Sequence, residues 1–220
     1  EMRQREGDIQ KMAAQLKEIR RAYGFDEVAI APGELTVNPE MTSTEFIVGD
    51  ITLSTPILAA AMDAVVSPQF ASHMSELGGI AVMNLEGIQA RYENTGDILN
   101  EVVTTPQEEV TALLQKLYTE PIKDHLIAAR VEEIKKSGAK CAVSITPAST
   151  KRFAPVAAEA GADMIVVQST VTTARHISTS QIGLRFPELL EMVNVPVLVG
   201  NCVGFDVALE LMETGIHGLL

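Results

Sequence analysis

The sequence predicts an α/β fold, a (β/α)8 TIM barrel of parallel strands of which this chain holds the N-terminal part, about five to six strands. Two observations carry that reading. One phrase recurs along the chain: an amphipathic helix, a glycine one or two residues after it, then a short strand rich in branched apolar residues, as in "SELGGIAVM", "KKSGAKCAV", "AEAGADMIVV" and "METGIHGLL". The glycine suits the left-handed residue that ends a helix, and strands alternating with helices build a parallel sheet. The chain also has no G-x-G-x-x-G turn, which favours a barrel over a doubly wound dinucleotide-binding sheet.

The elements follow in order. From Asp8 to Gly24, Ile9, Met12, Ala13, Leu16 and Ile19 recur at three- and four-residue steps and predict an amphipathic helix with Gly24 as its C-cap. Residues 1–24 are accordingly set apart from the barrel portion, 25–220. Strands are predicted at Pro56–Met62, Ile80–Asn84, Cys141–Ile145, Met164–Gln168, Val195–Gly200 and from near Gly218. Each is an apolar run of the kind that burial on both faces requires. Steps between the last four are roughly 22 to 31 residues, close to the ~30 of a minimal βαβ unit. A longer helical spacer, 86–138, separates the second strand from the third and reads as an insertion packed outside the sheet. A complete barrel has eight strands and typically ~250 residues. Leu220 falls inside the sixth strand, so either the chain continues beyond it, which is the expectation, or another chain supplies the remaining strands.

Composition narrows the function classes. A net charge of −12, with acidic residues spread along the helices, speaks against a nucleic-acid partner. No apolar run reaches the ~20 residues of a membrane span, and the charged start "EMRQREGD" is no signal peptide, so no membrane association and a cytoplasmic location are expected. Cys141 and Cys202 lie in or just after apolar runs and read as reduced, buried thiols. His73, His125, His176 and His217 are far apart with no ligand spacing, so no metal site is expected.

In such a barrel the ligand is held at the C-terminal ends of the strands, so the first polar residue after each apolar run is the one to inspect. "TPILAAAMDAVVSP" places one carboxylate, Asp63, at the end of an apolar run. Ser67 and Pro68 look like the N-cap and first residue of the next helix, which leaves Asp63 without a local capping role. It is either a mouth residue or a carboxylate held by the amides of its own turn. Asn84 and Glu86 follow the second strand and read most simply as loop polarity. After the fourth strand "QSTVTTARH" offers neutral donors, and after the fifth "VGNCVGFD" places Gly200 for close backbone approach and Asn201 as an amide at the mouth. Cys202 has no neighbouring His or Lys to lower its pKa and reads as a packed thiol. No GxSxG, HExxH or P-loop motif occurs, and the residues alone stop at a parallel barrel with a small-molecule mouth.

Five segments carry a resemblance: "RRAYGFDEVAIAPG" (20–33), "PILAAAMDAVVSP" (56–68), "GGIAVMNLEGIQARYE" (78–93), "AGADMIVVQST" (160–170) and "VPVLVGNCVGFDVALELMETGIHGLL" (195–220). In this order they resemble the inosine monophosphate dehydrogenase and guanosine monophosphate reductase family, most closely its GuaB3 branch lacking CBS domains. The resemblance implies a purine-nucleotide oxidoreductase with a (β/α)8 barrel, acting as a homotetramer. It implies conversion of IMP to XMP with NAD through a cysteine thioimidate, with NADPH-dependent reduction of GMP to IMP, or a noncatalytic regulatory or assembly role, as the alternatives. The nucleophilic cysteine belongs to a loop of the form GxGPGxxCT after the sixth strand, expected beyond Leu220, so residues 1–220 alone are expected to be inactive. A monovalent cation bound by that loop is a further implied cofactor.

Carried over by position, Met62 and Asp63 match the family's "AMD" signature at the nucleotide. Gln168, Ser169 and Thr170 match the segment lining the nicotinamide site, and Gly200 and Asn201 match its "GN" pair, giving these five as cofactor-binding candidates. Three positions depart from the family pattern. Ala60 stands where a serine is usual, Gln168 where an aspartate is, and Leu220 where an arginine or lysine is. The last two together remove an opposite pair without stranding either charge.

Overall fold

The computed structural model describes residues 21, 23–175 and 183–220. The chain divides into two units, Glu1–Ser43 and Thr44–Leu220. In the first, the predicted helix from Asp8 lies outside the described residues apart from its final positions. Gly24 does not close a helix in a left-handed turn. It has φ −79° and precedes a 3-10 turn at Phe25–Glu27, its amide donating to Glu27 Oε2 at 3.0 Å. A second 3-10 turn follows at Pro39–Met41.

The second unit opens with a hairpin outside the six predicted strands. Strands β1 (Phe46–Val48) and β2 (Ile51–Leu53) pair antiparallel with Val48 opposite Ile51, leaving Gly49-Asp50 as a two-residue loop. Gly49 has φ +55°, and a Cβ there would lie 2.4 Å from Pro196 Cγ, so both the turn and the close approach require glycine.

Six parallel strands then pair strictly in sequence order: β3 (Leu58–Ala59), β4 (Ile80–Asn84), β5 (Ala142–Ile145), β6 (Met164–Gln168), β7 (Val197–Gly200) and β8 (Gly218–Leu219). Each lies within or at the start of its predicted run. The sheet curls into a half-barrel, the partial (β/α)8 architecture that the repeated phrase predicts. The helices between strands are α1 (Pro68–Glu76), α2 (Thr95–Thr104), α3 (Gln107–Leu117), α4 (Asp124–Lys136), α5 (Thr150–Glu159), α6 (Phe186–Met192) and α7 (Phe205–Glu213). Ser67 Oγ accepts from Phe70 N at 3.2 Å with Pro68 at the first helical position, the cap that the sequence predicts for α1. The glycines of the repeated phrase, 78, 138, 161 and 215, all have positive φ, as a helix-ending left-handed residue must.

The pleat sorts the strand residues into two cores. Ala81, Met83, Val143, Ile145, Ile165, Val167, Val197 and Val199 form one buried cluster with helix residues such as Ile127, Val131, Ile134, Phe153 and Leu189. The alternate positions Ile80, Val82, Ala142, Met164, Val166 and Leu198 form the other, filled by Val48, Ile51 and Leu53 of the hairpin. The hairpin thus supplies the enclosed face with side chains that the sheet alone cannot. Thr55 N donates to Gly78 O at 3.1 Å, and Lys140 Nζ donates to Thr52 O, tying the hairpin region to the strand starts.

The spacer 86–138 has two parts. Helix α2 buries no residue and α3 only Leu117, so this helical pair is peripheral. Helix α4 buries Leu126, Ile127, Val131 and Ile134 and belongs to the layer covering the sheet, contrary to the reading of the whole spacer as an external insertion. We expect Ile134→Ala to cost about 2 to 5 kcal/mol in urea unfolding. Val103→Ala on α2, where the side chain is 82% exposed, is expected to change stability by no more than about 0.5 kcal/mol. Equal losses would contradict this division.

Candidate functional site

Along β4, β5 and β6 the inward set ends in a polar side chain. Two residues beyond Val82, Ala142 and Val166 stand Asn84, Ser144 and Gln168, all at the C-terminal ends of their strands. With Ala61, Glu86, Tyr118, Thr146, Ser169, Thr170 and Asn201 they line an open cleft of about 490 Å³. Among the described residues its polar lining consists of amides, hydroxyls and one carboxylate, with no Lys, Arg or His.

Gln168 Nε2 donates to Asn201 Oδ1 at 3.0 Å, joining the ends of β6 and β7 by an amide pair. The backbones are paired as well, with Ser169 N donating to Gly200 O at 2.9 Å and Asn201 N to Ser169 O at 3.1 Å. The Gly200–Asn201 peptide is cis. Thr172 donates from its amide to Asn201 O at 2.9 Å and from Oγ1 to Gly200 O at 2.5 Å. Each side-chain amide keeps donors and an acceptor beyond that single shared bond, so the pair can meet a neutral ligand group with both functions. A Cβ on Gly200 would lie 2.5 Å from Leu220 Cβ, so the close approach foreseen at this glycine is made by the chain's own β8 edge.

Met62 projects at the rim with 53% of its surface exposed. Asp63 beside it meets the protein's own donors: Ile88 N at 2.8 Å, Asn84 Nδ2 at 3.4 Å, and the Tyr118 hydroxyl. Its partners therefore come from the next βα loop and the end of α3, and none from its own turn. A Cβ on Gly87 would sit 1.8 Å from Asp63 Oδ1, so the carboxylate occupies space that only glycine leaves open. Burial, then the hydrogen bond and charge of Asp63, push the Tyr118 phenol well above its ordinary pKa, with Arg91 opposing. Glu86 accepts from Thr146 N at 2.6 Å, Thr146 Oγ1 at 3.1 Å and Ser149 Oγ at 2.6 Å. Both carboxylates are satisfied by neutral donors, each such bond worth about 1.5 to 3 kcal/mol.

Of the sequence-derived candidates, Gln168, Ser169, Thr170 and Asn201 line the cleft, while Met62, Asp63 and Gly200 flank it. Ser144, Thr146, Ala61 and Tyr118 were not foreseen. Inward alternation within "CAVSIT" was a usable signal for Ser144, whereas nothing local in the spacer marked Tyr118. Both cysteines are free thiols, but Cys202 is only partly buried, since it has left the end of β7 for a loop. Neither lines the cleft. Cys141 is fully buried, and burial first, then the nearby Asp163 carboxylate, pushes its thiol up to about 12, with Lys135 opposing. Among the described residues no three metal-ligating side chains converge, and no helix is long and apolar enough to cross a membrane.

Residues 22–220 match the family model described as IMP dehydrogenase / GMP reductase domain. An uncharacterized oxidoreductase of Mycolicibacterium smegmatis is 31% identical over 206 residues, which cover 91% of this chain and 55% of that protein. An inosine-5'-monophosphate dehydrogenase of Cryptosporidium parvum is 25% identical over 213 residues, 92% of this chain and 52% of that protein. The crystal structure of an IMP dehydrogenase/GMP reductase-like protein from Corynebacterium glutamicum superposes with a TM-score of 0.85 at 28% identity, over 93% of this chain and 55% of that one. The chain spans about half the length of the curated relatives it matches.

The two thiols give a direct check on the site's surroundings. At pH 8 a disulfide reagent is expected to titrate one thiol, Cys202, in the native protein and both after denaturation. Because the Cys141 thiol in the fold sits at about 12 against an ordinary 9.0, its contribution to stability is complete below pH 9 and lost as pH rises toward 12. Cys141→Ala should therefore lose less stability over that alkaline interval than wild type. Rapid labelling of both native thiols would contradict the assignment.

Proposed function

Because the chain belongs to the IMP dehydrogenase/GMP reductase family, we propose that the protein carrying it oxidises IMP to XMP with NAD, by way of a cysteine thioimidate, and works as a homotetramer. The observation that carries this reading is the cleft at the strand ends, whose amides and hydroxyls suit a purine and a carboxamide better than an ionic group. Met62, exposed at the rim, contacts the nucleotide, and Asp63 holds that turn in place.

The donor set also fits the nicotinamide end of NAD. Gln168 and Asn201 each retain hydrogen-bonding capacity toward a primary amide, and Ser169 and Thr170 add hydroxyls beside them. When bound, NAD supplies the hydride acceptor. The residues of this chain orient the two planar groups against each other, and positioning of that kind is worth several kcal/mol of a barrier.

The test uses the full-length gene product with IMP and NAD, followed at the absorbance of the reduced cofactor, beside GMP with NADPH. Reduced cofactor in the first arm alone supports the proposal, oxidation in the second alone makes the protein a GMP reductase, and nucleotide binding with no turnover in either makes it noncatalytic. Since neither thiol lines the cleft, purified residues 1–220 are expected to give no turnover. Reduced cofactor formed from IMP by that piece would refute the assignment of the nucleophile to another part of the protein.

A further inference from the structure

The Tyr118 hydroxyl is 55 positions away from Asp63 in the chain, yet it donates to the carboxylate that stands beside the exposed Met62. We propose that Tyr118 is a positioning residue for the nucleotide: through Asp63 it fixes the turn 62–66, and so sets the affinity for the purine nucleotide without touching the reacting atoms. This rests on the nucleotide reading of the cleft.

The contacts on either side of Tyr118 support the role. The Arg91 guanidinium lies 5.4 Å from the Tyr118 ring centroid. It donates to the Glu86 carbonyl at 3.1 and 3.0 Å and to the Glu120 carbonyl, clamping the residues on both sides of the ring to the rim. Glu86 in turn holds Thr146 and Ser149. Asp63, Tyr118, Arg91 and Glu86 thus form one continuous link among the loops after β3, β4 and β5. The turn 62–66 has only local bonds of its own, Val65 N and Val66 N both reaching Met62 O at 2.9 Å. Val66 is buried in the core and fixes the far end of the turn by packing, whereas the exposed Met62 end is tied to the other loops through Asp63. Burial beside a carboxylate keeps the phenol protonated, so Tyr118 remains the donor throughout the working pH range.

Tyr92 supplies the control. Its hydroxyl donates to Leu117 O at 3.0 Å and anchors the same helix end without reaching Asp63. In the full-length protein, Tyr118→Phe is expected to weaken IMP binding in calorimetry by about tenfold, the order lost with one hydrogen bond to a charged group. With turnover measured, KM should rise while kcat stays within about twofold. Tyr92→Phe should lower the melting temperature and leave IMP affinity unchanged. Asp63→Ala combined with Tyr118→Phe should bind IMP no more weakly than Asp63→Ala alone, because the two share one interaction. Hydrogen exchange of the ligand-free protein should quicken at 62–66 in Tyr118→Phe and remain unchanged in α4. Unchanged exchange, unchanged IMP affinity, or additive losses in the double variant would each overturn the positioning role. A wild-type protein that binds no purine nucleotide would overturn the nucleotide reading, and exchange at 62–66 would then decide separately whether Tyr118 holds the turn.

Discussion

The constraint on which the rest depends is that both faces of the parallel sheet are buried. Period-two alternation sends Ala81, Val143, Ile165 and Val199 against the helices and Val82, Ala142, Val166 and Leu198 into the enclosed side with the hairpin. Polar side chains have no place along such a strand except at its ends. Asn84, Ser144 and Gln168 are therefore brought to one opening by the same alternation that fills the core, and the site is a by-product of the packing rule that stabilises the fold.

The two carboxylates at the opening are held by neutral donors. Two carboxylates, Asp63 and Glu86, accept from amides, hydroxyls and a phenol on neighbouring loops, and Arg91 is directed onto backbone carbonyls. A carboxylate bound to oriented neutral donors keeps its partners at fixed hydrogen-bond distances. An exposed ion pair of long side chains does so less strictly and is weakened by salt. Among the described residues the cleft presents neutral groups beside a single, already satisfied carboxylate, Glu86.

The chain's ordinary structural braces sit at the opposite end of the strands. Asp163 accepts from Lys135 Nζ at 2.7 and 2.8 Å and from Cys141 N at 2.7 Å, fastening α4 to the start of β5. His217 Nδ1 accepts from Val197 N at 3.1 Å at the start of β8. These braces at the strand starts are distinct from the residues that line the opening, as the barrel architecture permits.

The sequence by itself determined the parallel α/β class, the six strands to within a few residues, the glycine-ended helices and the Ser67 cap, because each is encoded by local spacing. It also brought forward Gln168, Ser169, Thr170 and Asn201, since a polar residue directly after an apolar strand is visible in one dimension. Tertiary structure decided what Asp63 does. Its donors, Ile88 and Tyr118, lie 25 and 55 positions away, and nothing in "TPILAAAMDAVVSP" names them. It also decided that α4 covers the sheet while α2 and α3 lie outside, for all three are amphipathic in sequence. The hairpin's function as filler of the enclosed face was settled the same way. Periodicity reports that a face is apolar, but which surface buries it depends on how the strands curl.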